Sequence, residues 1–144
     1  MILYELTHEF YCYAGELVYS PKKLGLYQTS ENVKEAIQYY CTQPGFCENQ
    51  YAFSAKEKMV HGKIADDTVF EVLIYLHSED YEFELEIELG LFGDEYTAQS
   101  KLNQYCRENS LFLSKNNLII EEILNRHIVN RREWPEGFSI SDLF

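Results

Sequence analysis

Positive charge is scarce in this chain: 12 Lys and Arg stand against 24 Asp and Glu, for a formal net charge of −12 at pH 7. Clustered Lys and Arg drive phosphate binding by releasing counterions, so no nucleic-acid partner is expected. The group Arg126, Arg131, Arg132 is too sparse to change that. Long apolar runs are also missing, since none approaches the ~18 residues of a membrane span. The sequence opens directly into the alternation Leu3-Tyr4-Glu5-Leu6-Thr7-His8 with no basic stretch leading into an apolar one, and a cytoplasmic protein with no membrane partner is expected.

Four cysteines are present in 144 residues, without a secreted scaffold's density, and are read as reduced thiols. Cys41 and Cys106 are expected on apolar helical faces, where a thiol packs as a small hydrophobe. No C-x-x-C pair and no zinc spacing occurs, and His8, His61, His77 and His127 are scattered, so neither metal nor cofactor is expected. A nucleophile motif, a Gly-rich phosphate loop and an H-E-x-x-H helix are all missing, and the many carboxylates lack the burial that would split an acid from a base. His8, beside Glu9, reads as a packed or surface residue. Glu121-Glu122 with Asp66-Asp67 would hold a cation only if folded together, and nothing in their spacing brings them there. A non-enzyme is the expectation.

What is present is a repeat. Leu24-Gly25-Leu26-Tyr27 aligns with Leu89-Gly90-Leu91-Phe92, and Ile37-Gln38-Tyr39-Tyr40-Cys41 with Leu102-Asn103-Gln104-Tyr105-Cys106, both at an offset of 65. Leu3-Tyr4-Glu5-Leu6 aligns with Val69-Phe70-Glu71-Val72 at 66. Each copy reads strand, strand, helix, strand. In the first, Leu3–Tyr13 and Glu16–Tyr27 form a hairpin with Gly15 and Pro21 near its turn. A helix over Ser30–Cys41 follows, with Val33, Ala36, Ile37, Tyr40 and Cys41 on one stripe. Thr29 caps it, Pro44-Gly45 stops it, and a strand over Tyr51–Met59 closes the copy. In the second, Asp94 takes the place of Thr29, and Ala98, Leu102, Tyr105 and Cys106 face inward. Leu118–Leu124 suits a closing strand by register, although Ile119, Ile120, Ile123 and Leu124 also suit a helix. The expected fold class is α+β, two tandem ββαβ units with antiparallel sheets each packed by one helix. The copies span 1–62 and 68–144, the latter with the acidic strand and a C-terminal tail, and are expected to form one compact body.

Y-E-L-T-H-E-F from Tyr4, L-G-L-Y-x-T-S-E-N-x-K-E-A-I from Leu24, P-G-F at Pro44-Gly45-Phe46 and W-P-E-G-F at Trp134–Phe138 carry a resemblance. The chain resembles a family of small uncharacterised bacterial domains with Y-x-L-x-H-x-Y, I-G-x-Y-S-S-x-E-x-A, P-G-F and W-x-E-G-F motifs, here in tandem. The second copy departs from it in lacking P-G-F. The resemblance implies the fold and no activity.

Charge divides the copies. Residues 1–65 hold 7 acids and 6 bases, whereas residues 66–144 hold 17 and 6. Much of the difference lies in Tyr81–Leu89, where period two sets Phe83, Leu85, Ile87 and Leu89 against Glu82, Glu84, Glu86 and Glu88. Carboxylates on that face are spaced ~7 Å apart, inside a Debye length of ~8 Å. Such a face either keeps a sheet solvated or awaits cations. The equivalent stretch of copy one, Leu17–Leu24, carries no such charge, which favours the second. Glu82, Glu84, Glu86 and Glu88, with Asp94 and Glu95, are therefore the expected partner-binding residues. Tyrosine is abundant, 12 in all, with Tyr11, Tyr13, Tyr19, Tyr27, Tyr39 and Tyr51 in copy one. As a set they suit an interface, and singly they suit a sheet. The reading that follows is an acidic immunity- or inhibitor-type protein opposing a basic partner, a nuclease toxin among the options. The alternative is a self-associating structural or regulatory domain that forms a homodimer.

Overall fold

The computed structural model describes residues 1–9 and 21–138. The expected hairpin turn, with residues 10–13 and 16–20 and the tyrosines at 11, 13 and 19, lies outside the described residues. The chain is mixed α+β. It divides into two contact units: a first of Ile2–Lys58 with Val129–Phe144, and a second of Met1 with Met59–Ile128. No helix among the described residues is long and apolar enough to cross a membrane.

In the first unit β1 (Ile2–His8) pairs antiparallel with β2 (Lys22–Tyr27) and lies between it and β3 (Phe53–His61), which continues into the second unit. Helix α1 (Ser30–Tyr40) begins where Thr29 accepts the Asn32 N–H, as its sequence predicts. Removing such a cap costs about 1 kcal/mol. The helix buries Val33, Ala36 and Tyr40 against Leu6, Leu24, Tyr27 and Phe46. This core is aromatic, and a Phe- or Tyr-sized truncation in it costs roughly 3–5 kcal/mol.

The segment after Ile128, read from the sequence as the end of copy two, makes its contacts in the first unit. The Asn130 and Glu133 N–H groups donate to the Leu26 and Leu24 carbonyls at 2.7 and 3.2 Å. The Tyr39 hydroxyl donates to the Pro135 carbonyl at 2.6 Å, and the Tyr40 hydroxyl to that of Glu133. The Phe138 N–H donates to Pro44 O at 3.0 Å, and its ring meets Phe46 edge-on at 4.9 Å. Gly137 fits against the Pro44 carbonyl, where a Cβ would lie 2.3 Å from that oxygen. P-G-F and W-P-E-G-F are thus two halves of one clasp.

In the second unit β4 (Thr68–Ser78) is central, with β5 (Glu84–Phe92) and β6 (Leu118–Ile128) antiparallel on its flanks. The end of β3, Val60–His61, runs parallel beside Leu91–Phe92. Leu118–Ile128 is a strand because every residue of β4 pairs with it. Helix α2 (Glu95–Lys115), capped by Asp94, packs Ala98, Leu102 and Leu113 on Val72, Ile74, Leu76 and Phe92. Tyr105 and Cys106 reach only the half-buried margin.

The aligned Leu-Gly motifs are β-bulges. Register slips between Leu6 and Thr7 opposite Leu24-Gly25, and between Val72 and Leu73 opposite Leu89-Gly90. The glycines have φ of +123° and +138°, a region that side chains disfavour and that lets one strand carry an extra residue.

Candidate protein-binding face

Alternation on β4 assigns the two faces of the second unit's sheet. Val72, Ile74 and Leu76 meet α2, so Glu71, Leu73, Tyr75 and His77 point the other way. Directly opposed residues of an antiparallel pair share a face. Glu88, Glu86 and Glu84 oppose Leu73, Tyr75 and His77 from β5, and Ile123, Glu121 and Ile119 oppose the same three from β6. The face away from α2 therefore carries Glu84, Glu86, Glu88 and Glu121 around an aromatic centre.

That centre is a stack of rings. His77, 3% exposed, lies parallel to Tyr81 at 4.5 Å and beside Tyr75 at 5.1 Å. Its Nδ1 is 2.9 Å from the Ser78 carbonyl, an acceptor, so Nδ1 carries a proton. Its Nε2 is 3.3 Å from a Glu121 oxygen. The Tyr75 hydroxyl donates to Glu84 at 2.5 Å, and that carboxylate pushes the phenol up to about 12, so Tyr75 stays neutral. Further along β4, buried Glu71 accepts from His127 Nε2 at 3.1 Å and Asn125 Nδ2 at 3.4 Å. These partners offset the cost of burying a carboxylate.

The six carboxylates singled out from sequence fall in three places. Glu84, Glu86 and Glu88 share the face as the period of two predicts. Glu82 does not belong to the strand: Asp80 Oδ1 accepts both its N–H and the Ser78 hydroxyl, at 3.1 and 2.7 Å, which turns the chain before β5 begins. Phe83, expected in the core, also precedes the strand and is 46% exposed, and Leu85, although paired with Leu76 at the start of β5, is equally exposed. Asp94 and Glu95 stand at the start of α2, on the helix side. Asp94 accepts the Thr97 N–H and hydroxyl at 2.7 and 2.8 Å, and those bonds hold its carboxyl below the ordinary range. A cleft of about 540 Å³ opens there, lined by Asp66, Phe70, Asp94, Glu95 and Arg126 among others. Asp66-Asp67 and Glu121 stay apart, because Thr68 and Tyr75 are their neighbours on β4, about 24 Å along the strand.

Tyr75, His77 and Tyr81 were not singled out from sequence as site residues, and Glu121 was considered only for a cation site with Glu122 and Asp66-Asp67. Tyr75 and His77 alternate on β4, a signal for a shared face, but their neighbours on β5 and β6 follow from register alone. Tyr27 is core and Tyr51 is fully exposed, so the tyrosines form no single surface among the described residues. Cys106 donates to Glu122 at 3.0 Å, and burial together with that carboxylate pushes its thiol up to about 11, which makes it a poor nucleophile at neutral pH. No family model, curated protein or solved structure matches the chain.

Proposed function

We propose that the protein is a non-catalytic binding module, of the acidic immunity or inhibitor type, which acts in the cytoplasm by occluding a basic protein partner such as a nuclease toxin. The observation that carries this reading is Glu84, Glu86, Glu88 and Glu121 standing on the sheet face that the unit's helix leaves uncovered. Carboxylates there mimic the charge of phosphates, and complementary potentials raise association rates as well as selecting partners.

The reading includes an internal duplication of ββαβ repeats. Its support is the shared strand order, β2-β1-β3 and β5-β4-β6, the paired bulges, and caps at Thr29 and Asp94. One copy then serves as scaffold while the other diverged in charge. The first unit, clasped by W-P-E-G-F, holds all the motifs of the resembling bacterial domains, so the second unit reads as a copy inserted ahead of that clasp.

The test is binding of the partner co-purified with the native protein. Glu84→Lys with Glu86→Lys is expected to slow association at least tenfold at low salt, with little change in the melting temperature. The matched control, Glu48→Lys on the exposed surface of the first unit, is expected to change the rate less than twofold. Equal rates for the double variant and wild type would leave the carboxylates as a solvated face only. A second reading, homodimerisation, is favoured by β6, an 11-residue strand at the end of the sheet order with, among the described residues, a strand partner on one side only. A concentration-dependent doubling of mass, abolished by Ile123→Pro, supports that one.

A further inference from the structure

The binding reading leaves open which cation the face is built for. A lysine-rich partner needs only negative potential, because its ammonium is a compact, strongly hydrated point charge. A guanidinium is planar and weakly hydrated. It is best served by a flat ring on one side and carboxylate oxygens at its edge.

The turn end of this sheet face supplies both. Tyr81, 57% exposed, lies flat on His77 with an interplanar angle of 4°, so one side of its ring is covered and the other is open. Around the stack stand three carboxylates from two strands: Glu84 and Glu86 on β5, and Glu121, 55% exposed, on β6. The Tyr75 hydroxyl donates to Glu84 and orients that acid towards the rings, and a Glu121 oxygen lies 3.3 Å from His77 Nε2. A carboxylate has two oxygens and about four acceptor sites, so both keep capacity for a further donor. Ile119, 43% exposed opposite His77, adds an apolar wall that suits the methylene stem of a long cationic side chain.

We propose that this end of the face is an arginine-reading subsite: the guanidinium of a basic protein partner stacks on the open side of Tyr81 and shares its N–H donors between the carboxylates beside it. The subsite rests on the binding reading above and deepens it by naming arginine, in preference to lysine, as the side chain recognised. Charge complementarity supplies the attraction, for the second unit carries 14 acidic and 5 basic residues. The exposed ring supplies the discrimination.

Hexa-arginine and hexa-lysine peptides, equal in charge, test it on the full chain. In low salt, hexa-arginine is expected to bind about fivefold or more tighter than hexa-lysine, the scale of a cation–π and stacking contribution. Tyr81→Ala is expected to bring the two affinities together by weakening hexa-arginine alone, whereas Tyr81→Phe, which keeps the ring, retains the preference. Glu84→Gln with Glu86→Gln is expected to weaken both peptides. Ring-proton shifts of Tyr81 and His77 on adding hexa-arginine to the wild type give a reading that needs no variant. Equal affinities in the wild type, or hexa-arginine binding without movement of those ring signals, overturns the subsite while leaving the acidic face intact. Failure of both peptides to bind overturns the acidic-face reading and the subsite together.

Discussion

The two units solve the same packing problem with different chemistry. The first closes on rings: Tyr27, Tyr40, Phe46 and Phe138 fill its core, with His8 completely buried beside Phe46 and Phe53. The second closes on aliphatic side chains, Val72, Ile74, Leu76, Leu102 and Leu113, between strands of up to 11 residues and a helix of 21. Charge follows the same division, with 10 acids and 7 bases in the first unit against 14 and 5 in the second. A unit held by long strands can carry several carboxylates on the sheet face away from its helix, because the helix-side core and the ladder hydrogen bonds support it. In the first unit even some cationic side chains make internal contacts. Lys22 lies 3.7 Å over the Trp134 ring and Arg132 4.4 Å over that of Tyr39.

The sharpest way to break this comparison is to end the chain at Ile128. Truncation removes Phe138 from the aromatic core and strips the Tyr39 and Tyr40 hydroxyls of their partners in the tail. Loss of the ring alone is worth roughly 3–5 kcal/mol, a large part of a small unit's stability. Amide exchange in α1 is expected to approach unprotected rates while that of α2 stays slow. If α1 remains as protected as α2, the clasp is not what holds the first unit.

A subtler contrast lies in the bulge glycines. Both need positive φ, so alanine at either site is strained by about 1–2 kcal/mol. Only Gly25 is also crowded: a Cβ there would lie 2.5 Å from the Arg131 carbonyl, whereas at Gly90 the nearest atom, on the Phe92 ring, is 3.4 Å away. Urea denaturation is expected to find Gly25→Ala more damaging than Gly90→Ala by at least 1 kcal/mol. Equal costs would mean that the tail gives way freely at Arg131.

Local chemistry was legible in the sequence. Thr29 and Asp94 cap their helices as read, since an N-cap is decided within a few residues, and period two correctly grouped Glu84, Glu86 and Glu88. Glu82 was misplaced because Asp80 bonds forward to it and converts apparent strand into turn, a choice that hydrophobic alternation does not register. The clasp was also out of reach, for its partners, Pro44 and Phe138 or Tyr39 and Pro135, stand more than 90 residues apart, and nothing in either segment names the other. The aromatic centre of the face needed the β4–β5 and β4–β6 registers, and the bulge at Leu89-Gly90 shifts one of them by a residue.

The smallest expected effect concerns pH and again separates the units. His8 donates from Nε2 to the Asn49 carbonyl at 3.1 Å and is enclosed by the Phe46 and Phe53 rings. Burial, the main cause, and the nearby Lys22 charge lower its pKa from the ordinary 6.5. The folded first unit therefore refuses a proton that the unfolded chain accepts below that value. Its contribution to stability is complete above pH 6.5 and is lost progressively as pH falls beneath it. Between pH 7 and 5 the first unit is expected to lose exchange protection relative to its own value at pH 7, once exchange rates are corrected for pH. His8→Gln, which keeps an N–H for Asn49 and has no proton to gain, should flatten that slope in α1 while leaving the pH response of α2 unchanged. A slope that survives the substitution would assign the acid sensitivity to other groups and remove His8 from the contrast between the units.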